Sequence, residues 1–188
     1  MSEIFFTADS HFYHENIIEH CKRPFSSVKE MNETIITNWN KVITKNNIVY
    51  HLGDFSWRHS RKYIEYLLSR LNYKELHLIR GNHDDIPKLS WGFTSINELL
   101  NLKLKYKNEK VYLTLCHYPM EAWRYQRIGG IHLHGHSHGN KRFPILNRLD
   151  VGLDCCNFFP LSMEEVLTAI NNINYQVEKF SGYIRTED

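Results

Sequence analysis

The 188-residue chain holds only four cysteines, Cys21, Cys116, Cys155 and Cys156, and no two of them stand at C-x-x-C spacing. This argues against a structural zinc site built on thiolates and is consistent with reduced cytoplasmic thiols. No run approaches the roughly 18 apolar residues that span a bilayer. Met1-Ser2-Glu3 leads straight into Ile4-Phe5-Phe6 with neither a basic n-region nor a long apolar stretch, so no secretory leader is expected. Lys and Arg number 23 against 21 Asp and Glu, a formal net charge of +2. That balance predicts no strong pull toward duplex nucleic acid or a membrane surface. Repeats, low-complexity tracts and Gly/Ser/Pro linkers are also missing, so the expectation is one domain over residues 1–188, in the cytoplasm.

Hydrophobic residues make up 42% of the chain and charged residues 23%, ordinary for a globular protein long enough to bury a sizeable core. Short apolar runs recur, and each ends in polar residues. "IFFTAD" ends at Asp9, "IVYHLGD" at Asp54, "LHLIRGNHDD" at Asn82 to Asp85, "VYLTLCH" at His117 and "IHLHGHSH" at His138. Each reads as a buried strand followed by a loop. Between them, Val28, Met31, Ile35, Trp39 and Val42 share one helical face, and so do Ile64, Leu67, Leu68 and Leu71. Ser27 with Glu30, and Ser162 with Glu165, have the spacing of helix-capping boxes. Leu102, Leu104 and Tyr106 alternate with lysines before Asn108 and Val111, which suggests a hairpin. Strands alternating with helices predict a mixed α/β fold whose ligands gather beyond the strands' carboxyl ends.

The strand-end residues form one chemical set: Asp9, His11, Asp54, Asn82, His83, Asp84, His117, His136 and His138. Carboxylates, imidazoles and an amide without thiolates suit divalent ions such as Mn²⁺, Fe²⁺ or Zn²⁺. The ligands exceed the four that one tetrahedral ion takes, which favours two ions. Four of the 12 histidines fall on alternate positions of "HLHGHSHG". A strand would turn all four to one face, so the strand is expected to stop at Gly135, where a missing Cβ tolerates an unusual turn. His132 is then expected as a packed strand residue and His134 as a hydrogen bonder behind the site.

The ordered set D-x-H, G-D, G-N-H-D, H and G-H-x-H resembles the calcineurin-like metallophosphoesterase superfamily. The run "HFYHENII" after the first motif is most similar to the small stand-alone members without a cap domain, and the likeness spans roughly Ile4 to Val166. The resemblance implies a four-layer αββα sandwich of two mixed sheets flanked by helices. It implies Asp9, His11 and His138 around a first metal, Asn82, His117 and His136 around a second, and Asp54 bridging them. It further implies that His83 faces the substrate without ligating, with Asp84 orienting its ring. Manganese is the leading ion, with Fe²⁺, Zn²⁺ and Ni²⁺ as alternatives.

Two such ions can clamp a phosphoryl group and supply a bridging hydroxide as nucleophile. The expected activity is therefore hydrolysis of a small phosphomonoester or phosphodiester, with a nucleotide-type substrate in view and no stable nucleic-acid or membrane partner. Arg23, Arg58, Arg124, His14 and Asn16 follow the motifs closely enough to be candidates for substrate contact. Tyr118 and Trp123 are assigned to packing rather than base stacking, and His51 and His77 to structural roles. Phe12 and Phe55, beside the first two motifs, bear on access to the site. The competing readings are a catalytically silent scaffold on the same fold and a metallo-β-lactamase-type hydrolase. The second lacks an Asp at the required place after its paired histidines.

Overall fold

Ile4-Phe5-Phe6-Thr7 forms β1 at the centre of a sheet whose two faces meet different neighbours. The computed structural model describes residues 2–89, 92–140 and 145–184. Met1 and residues 90–91, 141–144 and 185–188 of the expected domain lie outside the described residues. On one side β1 pairs in parallel with β2 (Ile48–His51), β2 with β3 (Glu75–Ile79), and β3 with β4 (Ser95–Asn97). On the other side the short β9 (Leu161–Ser162) runs antiparallel to β1.

The second sheet is ordered β5 (Leu99–Tyr106), β6 (Glu109–Cys116), β7 (Ile131–His134) and β8 (Arg148–Asp150). β5 and β6 form the expected antiparallel hairpin, turning through Lys107 and Asn108, both at positive φ (45° and 71°). β7 and β8 are parallel to β6. The architecture is thus two mixed sheets flanked by helices, as the sequence implied.

Alternation along the strands divides the core in two. Phe5, Val49, Leu76 and Leu78 face outward and are covered by Met31, Ile35, Ile36 and Trp39 of α2 (Val28–Val42) and by Ile64, Leu67 and Leu68 of α3 (Arg61–Arg70). Phe6, Tyr50 and Ile79 face the other way. They meet Val111, Leu113, Leu115, Ile131 and Leu133 of the second sheet, with Met163, Val166 and Ile170 of α5 (Met163–Ile184) alongside. Each large side chain fully buried there contributes about 1.5–3 kcal/mol before entropy is counted. None of the described helices is long and apolar enough to cross a membrane.

Both helix starts are capped, in different ways. Ser162 and Glu165 make the reciprocal pair: Ser162 N–H donates to the Glu165 carboxylate, and Glu165 N–H donates to Ser162 Oγ. At α2, Ser27 Oγ accepts from Glu30 N–H, but the Glu30 carboxylate reaches past Ser27 to the backbone N–H and hydroxyl of Ser26. The box expected at Ser27 is therefore closed one residue earlier.

The parallel register brings the carboxyl ends of β1, β2 and β3 together, and those of β6, β7 and β8 likewise. An isolated bridge between Ala8 and Gly152, just past β1 and β8, joins the two sheets at that edge. Replacing Leu67 with alanine should cost about 2–5 kcal/mol in urea unfolding, through lost transfer and a cavity. Ser27→Ala should cost about 1 kcal/mol, because only one cap bond is lost. Equal midpoints for the two variants would contradict this layering.

Candidate metal centre

The loops leaving the strands continue to hydrogen-bond to one another, and this positions the polar side chains. Asp9 N–H donates to the Gly53 carbonyl, His11 N–H to the Asp54 carbonyl, and Gly135 N–H to the His117 carbonyl. Asp9, His11, Asp54, His136 and His138 all have positive φ, between 47° and 68°. Such conformations cost on the order of 1–3 kcal/mol each outside glycine and collect at functional sites. Glycines make room for the ligands. A Cβ on Gly135 would lie 2.6 Å from both the Ala8 Cβ and Asp9 Oδ2, and one on Gly152 would lie 2.7 Å from that same oxygen. Gly135 is thus required for close approach. The unusual backbone conformation expected there is found instead at His136 and His138, both in the left-handed region.

Asp9, His11 and His138 offer ligand atoms within 4.8 Å of one another, as do Asp9, Asp54 and His117. Asn82 Oδ1 lies 3.0 Å from His117 Nε2 and 3.0 Å from His136 Nδ1. Asp54 Oδ2 lies between the two groups, 3.5 Å from His11 Nε2 and 3.6 Å from His117 Nε2. Its other oxygen accepts the His83 backbone N–H at 2.9 Å. All seven residues expected as ligands therefore converge, with the carboxylate expected to bridge in the middle.

The donor set fits divalent cations. Asp9 Oδ1 and His11 Nε2 are buried and have no hydrogen-bond partner. Buried polar atoms are normally paired, and an unpaired buried carboxylate oxygen and an unpaired buried imidazole nitrogen in one cluster are what a cation would complete. His117 Nδ1 donates to the Leu52 carbonyl at 2.8 Å. A neutral ring so held presents a lone pair at Nε2, aimed at the oxygens of Asn82 and Asp54, which is the orientation a metal ligand needs.

The electrostatics agree. Burial pushes the Asp9 carboxyl well above the usual range, although the His138 charge opposes this. Burial pushes the His11 imidazole far down, helped by Arg23 and His138. Burial and the nearby His83 lower His14 to about 4. His11 and His14 approach at 3.3 Å through Nδ1. With both rings neutral, His11 can donate Nδ1–H to His14 and keep its Nε2 lone pair toward the site. Burial disfavours the His138 cation, but the hydrogen bonds to Asp154 and Cys21 and the Asp9 charge together outweigh it, and the ring is pushed up to about 10.

Asp154, which the sequence reading did not single out, supports this half of the site. It accepts His138 Nδ1 at 2.7 Å and both Arg23 Nε and Nη2 at 2.8 Å. Arg23 also donates to the carbonyls of Asp9 and Ser10. Arg23 is buried beneath the ligands with its donors engaged, so the expected substrate contact is corrected to a structural clamp. The signal for Asp154 was present: "VGLD" is another apolar run ending in a carboxylate. Cys21 joins His138 and Asp154 in a third close group, a thiol near the site that its sequence context did not suggest.

Asp84 also departs from expectation. Its two oxygens accept backbone N–H groups of Gly81, Asp54 and Phe55 at 2.8–3.0 Å, so it ties the G-D and G-N-H-D loops together. The His83 ring lies instead among His11, His14 and Trp57, with ring centroids 5.3–6.2 Å away. Phe12 and Phe55 are fully buried against each other beneath the site.

Of the remaining candidates, His14, Asn16 and Arg58 line one groove with Tyr13, Glu15 and Trp57. Arg124 lays its guanidinium over Tyr125, whose ring packs on Tyr112. The Arg124 carbonyl accepts from Thr114 Oγ1, three residues before His117, while the guanidinium lies over Tyr125, so the expected substrate contact has no support from its position. Trp123 is buried and donates to the Gly130 carbonyl, a packing role as expected. Tyr118 is exposed beside His117 and His136. His132 is buried and bonded to Thr114 O and Met120 N–H, and His134 donates to the Gly135 carbonyl, so both stand outside the ligand group. His51 is buried and donates to Ser10 Oγ, and His77 contacts the Ser95 hydroxyl, the structural roles expected of them.

Known proteins give independent findings. A family profile described as calcineurin-like phosphoesterase matches residues 2–152. An uncharacterized protein of Methanocaldococcus jannaschii, MJ1445, is 36% identical over 177 residues, covering 90% of this chain and 92% of that protein. The Gene 66 protein of Mycobacterium phage D29 is 27% identical over 201 residues, covering 92% and 98% of the two chains. A protein of unknown function from Aquifex aeolicus, AQ665, has a crystal structure similar to this one, with a TM-score of 0.69 at 26% identity, covering 90% of this chain and all of that one.

The His138–Asp154 pair makes a pH prediction for metal-free protein. The folded ring titrates near 10, above its ordinary 6.5. Its contribution to stability is therefore complete below about pH 6.5 and lost as pH rises toward 10. Denaturant midpoints should fall over that window, and Asp154→Asn should flatten the fall. An identical slope in the variant would assign the loss to other groups.

Proposed function

The chain belongs to the calcineurin-like phosphoesterase family, and we propose that it is a phosphoesterase using two divalent metals to hydrolyse a small phosphate ester. The observation that carries this reading is the pair of partnerless buried atoms, Asp9 Oδ1 and His11 Nε2, across Asp54 from Asn82, His117 and His136. Asp9, His11 and His138 would hold one ion, Asn82, His117 and His136 the other, and Asp54 would be shared. Bound there, the ions would polarise the phosphoryl oxygens and supply a water acidic enough to attack near neutral pH. Manganese suits the mixed oxygen and nitrogen donors.

The chain's own contribution is positioning and proton transfer. The buried carboxylates of Asp9 and Asp54 would anchor the cations against which the ester phosphate sits, and the interlocked loops hold those ligands without rearrangement. His83 is partly exposed beside the first group, fixed through its backbone by Asp54. We assign it the proton that the leaving alkoxide takes up. That role is worth on the order of 10²–10⁴-fold. The family match sets aside the metallo-β-lactamase-type alternative.

Metal-stripped protein should be inactive toward an aryl phosphodiester and regain turnover with Mn²⁺. His83→Ala should keep wild-type metal content by elemental analysis while kcat falls by about 10²-fold or more, most for poor leaving groups. Loss of an ion from His83→Ala would make His83 a ligand. Full metal loading without turnover on any phosphate ester would favour the silent scaffold.

A further inference from the structure

Beside His83, outside the ligand group, two aromatic planes are stacked. The rings of His14 and Trp57 lie 4.0 Å apart with planes 8° from parallel, closer and flatter than the other ring pairs around the site. Trp57 is nevertheless 48% exposed. His14 covers one indole face and the tilted His83 ring lies 5.3 Å away, so the exposed surface is what these two rings leave open. Its stack on His14 orients the indole beside a polar site, and its open surface is available to a further flat group. The stack forms one wall of a groove of about 420 Å³, within the range of small-molecule sites. Glu15 and Asn16 on the same groove carry acceptors and an amide. Arg58 is held over Tyr63, its Nη1 2.7 Å from the hydroxyl.

The direction of the groove matters. It shares His14 and Trp57 with the neighbourhood of His83, the residue assigned to protonate the departing oxygen, so a group occupying it would belong to the leaving alcohol. A flat wall that can add one more parallel plane, with polar partners at its rim, suits a heteroaromatic ring better than an alkyl chain or a bare sugar. We propose that the Trp57–His14 stack is a leaving-group subsite for a nucleobase, so that the substrate is a phosphodiester whose departing alcohol is a nucleoside. The proposal rests on the phosphoesterase reading above and extends it to a substrate class. Tyr118, exposed on the His117 and His136 side, lies away from that direction and serves as a control.

The test compares two dinucleotide phosphodiesters that share the retained nucleoside and the leaving oxygen. In one the departing sugar carries a base, and in the other an abasic tetrahydrofuran replaces it. With Mn²⁺ present, the wild type should favour the base-bearing diester by about tenfold in kcat/KM, as base stacking on one aromatic wall allows. Trp57→Ala should bring the ratio near one, Trp57→Phe should restore part of it, and Tyr118→Ala should keep it. Calorimetry on metal-free protein gives a readout independent of turnover. A nucleoside 5′-monophosphate should bind more tightly than the abasic sugar phosphate, and Trp57→Ala should erase the difference. Turnover of both diesters without preference would overturn the subsite and leave the phosphoesterase reading standing. No turnover of either, with the base-dependent binding intact and lost in Trp57→Ala, would overturn the phosphoesterase reading and leave the subsite. Absence of both the preference and the binding difference would overturn the proposal.

Discussion

Asp9 is fully buried where the two sheets meet, with one carboxylate oxygen held by the His136 N–H and the other without a partner. An isolated carboxylate in such a place costs several kcal/mol unless something positive compensates it. Much of the local structure answers that requirement. His138 leans its charge toward Asp9, Asp154 keeps His138 charged, and Arg23 neutralises Asp154 while gripping the carbonyls of Asp9 and Ser10. Without a cation this is a chain of compensations for one buried charge. If His138 held a cation as proposed, its proton would be dispensable, and Asp154 would orient the ring through its other nitrogen.

The same constraint explains why the backbone is strained where it is. Five of the converging residues stand at positive φ, and their energies would be hard to sustain in mobile loops. They are held by cross-loop hydrogen bonds and by the Asp84 carboxylate, which satisfies three N–H groups from two motifs at once. Below them lie Phe12 and Phe55, fully buried. A rigid floor under a charged site keeps ligand atoms in place without reorganisation when substrate arrives, the property on which electrostatic catalysis depends.

The fold and the converging residues were legible because both are written locally. Each strand is a short apolar run, each ligand follows its strand by a few residues, and parallel register does the rest. The period-two reading of "HLHGHSHG" identified the end of β7 at His134, since four imidazoles on one buried face could not all be satisfied. What the sequence could not reveal were the long-range partners. Arg23 and Asp154 are 131 positions apart, and nothing near Arg23 marks it as a clamp rather than a phosphate ligand. Asp84 was misassigned because a carboxylate beside a histidine suggests a pair, whereas here the side chain turns to backbone N–H groups of its own loop and of the G-D loop. Gly135 was correctly singled out for the wrong reason: neighbouring atoms at 2.6 Å, not backbone angle, exclude a side chain.

Trp57 shows where local reading stops and surface chemistry begins. An exposed tryptophan in a loop carries no periodicity, so no pattern distinguishes it from an incidental surface residue. Its significance comes from what lies under it: His14 stacked on one face, His83 at its edge, and through His14 the hydrogen bond to His11. The buried half of the site is fixed by charge compensation and can hardly vary without losing its ligands. The rim is fixed only by packing between side chains and is free to differ while the buried half stays the same. Under the proposed function, chemistry and substrate choice would therefore be carried by different physical terms, the first by desolvated charge and the second by an aromatic surface left open to water.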